Sequence, residues 1–209
     1  MSNEKHELVV WFCGLPGSGK TTIARGVCEN VTRKIKETGI NRILALVQMD
    51  AIRKLIFPNP SYSDEERDAA YRSFVLIGSF LSANSTASLL DGVGHKKVWR
   101  DFARRECPRF VEVYVKCPIE ICIQRETSRV NGTDGIRRKL YFDASERLRT
   151  GKRIEGLGKV PGVDEIFEES PAPEIVIDSS KDEPLALISK TLTKLSRFDP
   201  ELFYIDGKN

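Results

Sequence analysis

The sequence predicts an α/β fold, a mainly parallel five-stranded sheet with helices on both faces, and three observations carry that expectation. Strand-like apolar runs alternate with helical patterns along the whole chain, the signature of βαβ units. The run Gly14-Leu15-Pro16-Gly17-Ser18-Gly19-Lys20-Thr21 satisfies G-x-x-x-x-G-K-[ST] and joins the first apolar run to the first helical pattern. A length of 209 residues suits one domain, 1–209, large enough for a sheet covered on both sides.

Leu8 to Cys13 reads as a buried strand, and Ile23, Val27, Val31 and Ile35 follow the glycine-rich run at helical spacing. Such a loop wraps backbone N–H groups around a polyphosphate, and the helix N-terminus adds partial positive charge. Lys20 then reaches the β- and γ-phosphates while Thr21 ligates Mg²⁺. Gly14, Pro16, Gly17, Ser18, Gly19, Lys20, Thr21 and Thr22 are the expected nucleotide-binding residues, Lys20 is a catalytic candidate and Thr21 a metal ligand. Strand, loop and helix in this order predict a three-layer P-loop NTPase fold.

Gly39 stops the first helix, and Ile43 to Met49 is the second strand, ending at Asp50. A short helix over 51–56 is broken by Pro58 and Pro60. Ser63-Asp64-Glu65-Glu66 is a capping box opening a longer helix with Phe74, Val75, Ile77, Gly78 and Leu81. Ser85 to Leu90 forms a strand that delivers Asp91. Lys97 to Cys107 is amphipathic through Trp99, Phe102 and Ala103, Phe110 to Lys116 is a strand, and Pro118 opens a helix at its first position. From Arg125 to Arg153 the chain is strongly basic, with Arg129, Arg137, Arg138, Lys139, Arg147, Arg149 and Lys152 between. A cationic lid there would neutralise charge and exclude water during phosphoryl transfer, although a solvated helix face accounts for any single arginine. Glu174 to Ile177 is the last strand and Pro184 to Leu195 a covering helix, leaving a C-terminal tail over 198–209 without an assigned structure.

A net charge of +3 neither demands nucleic acid nor excludes a small anion as partner. Five dispersed cysteines, an odd number, fit reduced thiols packed inside a cytoplasmic protein and do not form a metal site. The N-terminal residues are polar and the first apolar run is only strand length, so neither a signal peptide nor a membrane span is expected. A homodimer is left open.

Asp50 and Asp91 both fall at the carboxyl ends of strands, where open parallel sheets place their binding crevices. Asp50 is a second catalytic candidate, holding Mg²⁺ or accepting the proton of an acceptor hydroxyl, and Arg53 is placed to grip an anionic substrate. Asp91 reads as the acidic metal residue that orients Mg²⁺ or its waters. His95 is assigned a loop or packing role, because phosphoryl transfer needs mainly positioning and charge neutralisation. Ser180-Lys181-Asp182-Glu183 departs from the guanine-reading N-K-x-D at both defining ends, so ATP is the expected nucleotide.

With Asp50-x-x-Arg53, Tyr62-Ser63-x-x-Glu66-Arg67 and the basic segment following the phosphate loop in this order, the chain resembles adenylylsulfate kinases along nearly its whole length. Leu140-Tyr141 with Ala144, Gly162-Val163-Asp164 with Phe167-Glu168, and the strand Pro173 to Asp178 extend the likeness. The resemblance implies a nucleotide-kinase-like fold and transfer of the γ-phosphate of ATP to the 3′-hydroxyl of adenylylsulfate, with Mg²⁺ as cofactor. It implies that Arg53 and Arg67 bind the acceptor anion, that Tyr62 stacks on the acceptor adenine, and that Arg125 packs by the ATP adenine. The departures fall on the acceptor side. Gln48 replaces the first Asp of the family's D-G-D, Ala70 an acceptor-binding Asn, Asp91 to Lys97 its I-S-P-Y-R loop, and Phe142 and Asp143 its paired lysines. A kinase of another small hydroxyl acceptor, such as a nucleotide, a sugar derivative or a seryl-tRNA, is the related alternative. A nucleotide-switch ATPase is the alternative of a different class.

Overall fold

An apolar run with no polar interruption can only be a strand if both faces are covered. That run forms β1 (Val9–Cys13), every residue of which is buried. The structure, a computed structural model, describes residues 6–128, 139–154 and 156–204. β1 is the central strand of a five-stranded parallel sheet that also contains β2 (Ile43–Gln48), β3 (Thr86–Asp91), β4 (Phe110–Lys116) and β5 (Ile175–Asp178), in the order β2-β3-β1-β4-β5.

Side-chain alternation along β1 sends its residues into two separate cores. Val10 and Phe12 pack with Ile23, Val27 and Val31 of α1 (Lys20–Thr38) and with Leu187 and Leu192 of α7 (Pro184–Leu195). Val9 and Trp11 pack with Tyr71, Phe74 and Val75 of α3 (Asp64–Ala83) and with Trp99 and Ala103 of α4 (Lys97–Glu106). A third cluster, from Cys117 and Cys122 to Tyr141, Ala144, Leu157 and Val160, lies under α5 (Ile119–Thr127) and α6 (Leu140–Thr150). The expected three-layer architecture is present.

Some details of the element ends differ from expectation, each for a local reason. Gln48 pairs with Asp91 as the last rung between β2 and β3, so Asp91 belongs to its strand while Met49 and Asp50 already open α2 (Met49–Ile56). Pro118 caps α5 from outside, because its ψ of 140° is extended rather than helical. Ser63 does accept a hydrogen bond from the Glu66 amide at 3.2 Å, but the Glu66 carboxylate reaches past it to Ser61 and the Tyr62 amide. Tyr62 holds a left-handed φ of 55° there, which turns the preceding backbone toward Glu66. The tail contains a short helix, α8 (Pro200–Phe203), whose Leu202 and Phe203 are buried in the first core; residues 205–209 lie outside the described residues.

That tail is fastened by charge at the end of the sheet opposite the phosphate loop. Arg42 pairs with Glu7, with Asp199 at 2.9 Å and with Glu201 at 3.0 Å, while Asp199 also caps α8 through the Leu202 amide. Burial would raise the Asp199 carboxyl, but the Arg42 hydrogen bond and charge outweigh it and hold the group below the usual carboxylate range. Arg42→Ala leaves the buried Glu7 carboxylate without its cation and Asp199 with Arg109 alone, at 3.4 Å, and is expected to destabilise the protein by about 3 kcal/mol in urea unfolding. A loss under about 1 kcal/mol, the size of an exposed pair, would show the cluster to be solvated instead.

Candidate active site

The phosphate loop is tight because its neighbours leave no room for side chains. A Cβ on Gly17 would stand 2.6 Å from the Cys122 carbonyl oxygen, and Gly17 also takes a φ of 80° that favours glycine. The loop is held from three directions. Gly14 donates its N–H to the Val93 carbonyl at 3.2 Å, Tyr141 of α6 donates its hydroxyl to the Pro16 carbonyl at 2.6 Å, and the Ser179 hydroxyl donates to the Ser18 carbonyl at 2.7 Å. Ser18 Oγ is buried without a partner, Lys20 is buried in the first turn of α1, and Thr22 turns outward.

The end of β3 lies against this helix start. Thr21 Oγ1 donates to Asp91 Oδ1 at 3.2 Å, and Gln48 Nε2 donates to Asp91 Oδ2 at 3.2 Å. Asp91 is thereby oriented from both sides, with Arg25 in turn 3.4 Å from Gln48 Oε1. Among the described residues no group of three or more His, Cys, Asp or Glu side chains could hold a metal ion. A hydroxyl and one carboxylate beside a phosphate loop nevertheless fit Mg²⁺, which keeps waters and substrate phosphates as most of its ligands.

Toward the far side of the loop, Arg125 donates to the Ser179 carbonyl at 2.7 Å and lies 3.6 Å from Cys117 Sγ. With Ile121, Gln124, Ser128 and Ser180 it lines an open cavity of about 490 Å³, within the range of small-molecule sites. Arg147 and Arg149 of the basic segment do not face this space as lid cations. Arg147 is occupied by the Leu157 and Gly158 carbonyls and by Asp164, and Arg149 pairs with Glu146 on the surface. Carbonyls left unpaired by the irregular chain after α6 attract a guanidinium more strongly than open solvent does. Arg129, Arg137 and Arg138 lie outside the described residues.

On the other side of Asp91, α2 and α3 bring together the residues expected to meet the acceptor. The Arg53 guanidinium lies 5.4 Å from the centre of the Tyr62 ring, and Arg67 is buried with one nitrogen donating to the Lys159 carbonyl. The Nε atoms of Arg53 and Arg67 are both buried without a partner. Asp50 is exposed in the first turn of α2 and makes no hydrogen bond among the described residues; its charge reaches the Tyr71 phenol. Asp50 takes no part in the hydrogen bonds to Asp91 and shares its helix with Arg53.

Between these two halves runs the loop 92–96, whose backbone is fixed by buried side chains. Trp11 donates to the Gly92 carbonyl at 3.0 Å, Tyr71 accepts from the Gly94 amide at 3.0 Å, and Arg100 donates to the Gly94 carbonyl. His95, expected to be a loop or packing residue, is 2% exposed and lies edge-on to Trp99. Burial first, then the Arg67, Lys96, Arg100 and Arg53 charges, push its imidazole down to about 3, so it is neutral. The 3.9 Å approach of its Nε2 to Glu165 is therefore not an ion pair. Its burial was signalled in the sequence only by its place in a glycine-bearing loop four residues after Asp91.

A group whose pKa is lowered by folding binds its proton preferentially in the unfolded chain, so the folded state loses stability as pH falls. For His95 that window runs from about 6.5 down to about 3. Unfolding free energy is expected to fall by up to about 1.4 kcal/mol per pH unit there from this residue alone. His95→Leu removes that component, so the two proteins should diverge below pH 6.5 and run parallel above it. Parallel curves throughout would place the imidazole in contact with solvent.

Residues 6–178 match the adenylylsulphate kinase family. A probable adenylyl-sulfate kinase from Archaeoglobus fulgidus is 33% identical over 175 residues, 84% of this chain and 97% of its own. An adenylyl-sulfate kinase from Picosynechococcus is 29% identical over 202 residues, 97% of this chain and 98% of its own. The solved structure of a Mycobacterium tuberculosis APS kinase in complex with AMPPNP and APS superposes with a TM-score of 0.69 at 21% identity, covering 91% of this chain and 98% of that one, a likeness of fold. Among the described residues no helix is long and apolar enough to cross a membrane.

Proposed function

The chain belongs to the adenylylsulphate kinase family, and from that premise we propose that it transfers the γ-phosphate of ATP to the 3′-hydroxyl of adenylylsulfate. The observation that carries the proposal is the hold on Asp91: Thr21, which opens the helix after the phosphate loop, meets one carboxylate oxygen, and Gln48, the residue before the helix that bears Arg53, meets the other. Phosphoryl transfer asks a protein for alignment and for compensation of charge spread over the moving group, with little covalent chemistry of its own.

In this reading Lys20 compensates charge on the γ-phosphate and Arg125 packs by the ATP adenine. Thr21 and Asp91 would hold Mg²⁺, which would supply positive charge to offset that of the phosphates. Arg53 and Arg67 fix the anionic end of the acceptor, and their unpartnered buried Nε atoms supply donors for it. Tyr62 offers an aromatic face beside Arg53 for the acceptor base. Asp50, on the same helix as Arg53, orients the acceptor hydroxyl.

One observation favours a different acceptor for the same chemistry. Ala70 is fully buried where the family places an acceptor-binding Asn, so this pocket offers one polar contact fewer. The test is transfer of labelled γ-phosphate from ATP to a panel containing adenylylsulfate, nucleoside monophosphates and sugar derivatives. Label appearing at the 3′-position of adenylylsulfate in preference to the others supports the proposal. Preferred labelling of another acceptor would reassign the substrate, and acceptor-independent hydrolysis would reject a kinase altogether.

A further inference from the structure

The loop after β3 carries a buried polar atom for which the fold provides no use. His95 Nε2 is buried and unpartnered, on a side chain 2% exposed. An orphaned donor or acceptor in a protein interior is costly unless something satisfies it. Packing alone would be served by an apolar ring at this position, edge-on against Trp99.

The surroundings of Nε2 suggest what satisfies it. The cations that act on this imidazole include Arg67 of α3 and Arg53 of α2, the same two side chains whose Nε atoms are buried without partners. Printed contacts aside, a chain of neighbours ties the groups together: Arg67 donates to the Lys159 carbonyl, Lys159 Nζ lies 3.6 Å from Glu165, and Glu165 lies 3.9 Å from His95 Nε2. Glu165 Oε1 stands 3.9 Å from Nε2, too far to serve as a hydrogen-bond partner. The loop is also held firmly enough to aim a side chain: the Glu168 amide donates to the His95 carbonyl at 2.8 Å, and the Glu168 carboxylate accepts from the Lys97 amide at 2.6 Å. The same loop contacts the donor side, since the Val93 carbonyl accepts from Gly14.

We infer that His95 is a specificity-determining residue of the acceptor site, its Nε2 hydrogen-bonding an oxygen of the anionic group that Arg53 and Arg67 hold. This deepens the function proposed above and rests on it. A neutral imidazole adds direction without adding charge. Two guanidinium groups supply Coulomb attraction for any small anion, and a fixed neutral donor selects among anions by where their oxygens lie. The loop 91–97, in which the chain departs from the family's I-S-P-Y-R, would thus replace one set of acceptor contacts by another.

The test separates a contact from a packing role. His95→Leu is expected to raise the KM for adenylylsulfate by about 10- to 100-fold while leaving the KM for ATP within about twofold, the range for a hydrogen bond to a charged group. His95→Gln, whose amide nitrogen can take the place of Nε2, is expected to recover most of that loss. The unaltered protein gives an independent reading, because it contains only two histidines and the other, His6, lies on the N-terminal approach to β1. In imidazole ¹⁵N spectra of the protein with a non-hydrolysable ATP analogue, adenylylsulfate should shift the Nε2 signal of His95 and leave that of His6 in place. An unmoved signal together with an unchanged KM in His95→Leu overturns this inference alone. Failure of the unaltered enzyme to phosphorylate adenylylsulfate at all overturns the proposed function, and this inference with it.

Discussion

Lys20→Ala is expected to lower kcat by about 10²- to 10³-fold while the protein still folds and still binds ATP, the scale on which removing one preorganised donor acts. Lys20 is buried in the first turn of α1, directly behind a loop whose backbone is pinned by Val93, Tyr141 and Ser179. A charge fixed in that way does not reorganise as negative charge builds on the transferring group, so its effect falls on the transition state more than on the ground state. The remaining amides of the loop and the helix N-terminus continue to attract phosphate. Steady-state kinetics together with calorimetric titration of ATP distinguish the outcomes. Equal losses in kcat/KM and in ATP affinity with kcat unchanged would make Lys20 a binding residue only.

Arg53→Ala is expected to act on the other substrate, raising the KM for adenylylsulfate by about 10- to 100-fold, as loss of a charge-assisted hydrogen bond does. The KM for ATP should stay within about twofold, since Arg53 lies on α2, packed over Tyr62 and away from the Arg125 cavity. Arg53→Lys keeps the charge but not the planar fork, and an intermediate KM is expected from it. A fall in ATP affinity instead would show that the crevice is divided wrongly, with α2 serving the nucleotide.

The donor half of this crevice was legible in the sequence because it is local. The glycines, Lys20 and Thr21 are consecutive, their geometry is set by one strand-to-helix turn, and the structure places them as the spacing implies. Asp91 was legible for a related reason, since the end of a strand in a parallel sheet has a known relation to the crevice. What the sequence did not reveal depends on contacts between distant segments. Gln48 reads as the loss of a carboxylate, yet across the β2–β3 rung it holds Asp91 Oδ2. Arg147 reads as a lid cation, yet the irregular chain at Leu157 and Gly158 supplies carbonyls that turn it inward. The buried pairing of Arg100 with Glu112 at 3.0 Å, on which the backbone of the 92–96 loop partly depends, joins a helix and a strand whose patterns each look ordinary alone. His95 reads as a loop or packing residue because phosphoryl transfer needs mainly positioning and charge neutralisation, and the structure buries it in a loop edge-on to Trp99.

The central claim is that two anion sites face each other across Asp91, one built on the phosphate loop and the other on Arg53 and Arg67. Its most direct test is a crystal structure of the ternary complex with Mg²⁺, a non-hydrolysable ATP analogue and adenylylsulfate. The account predicts the triphosphate within the loop 14–21, the phosphosulfate against Arg53 and Arg67, and the 3′-hydroxyl directed at the γ-phosphate beside Asp91. Adenylylsulfate bound in the Arg125 cavity, or a triphosphate seated on Arg53 and Arg67, would contradict it.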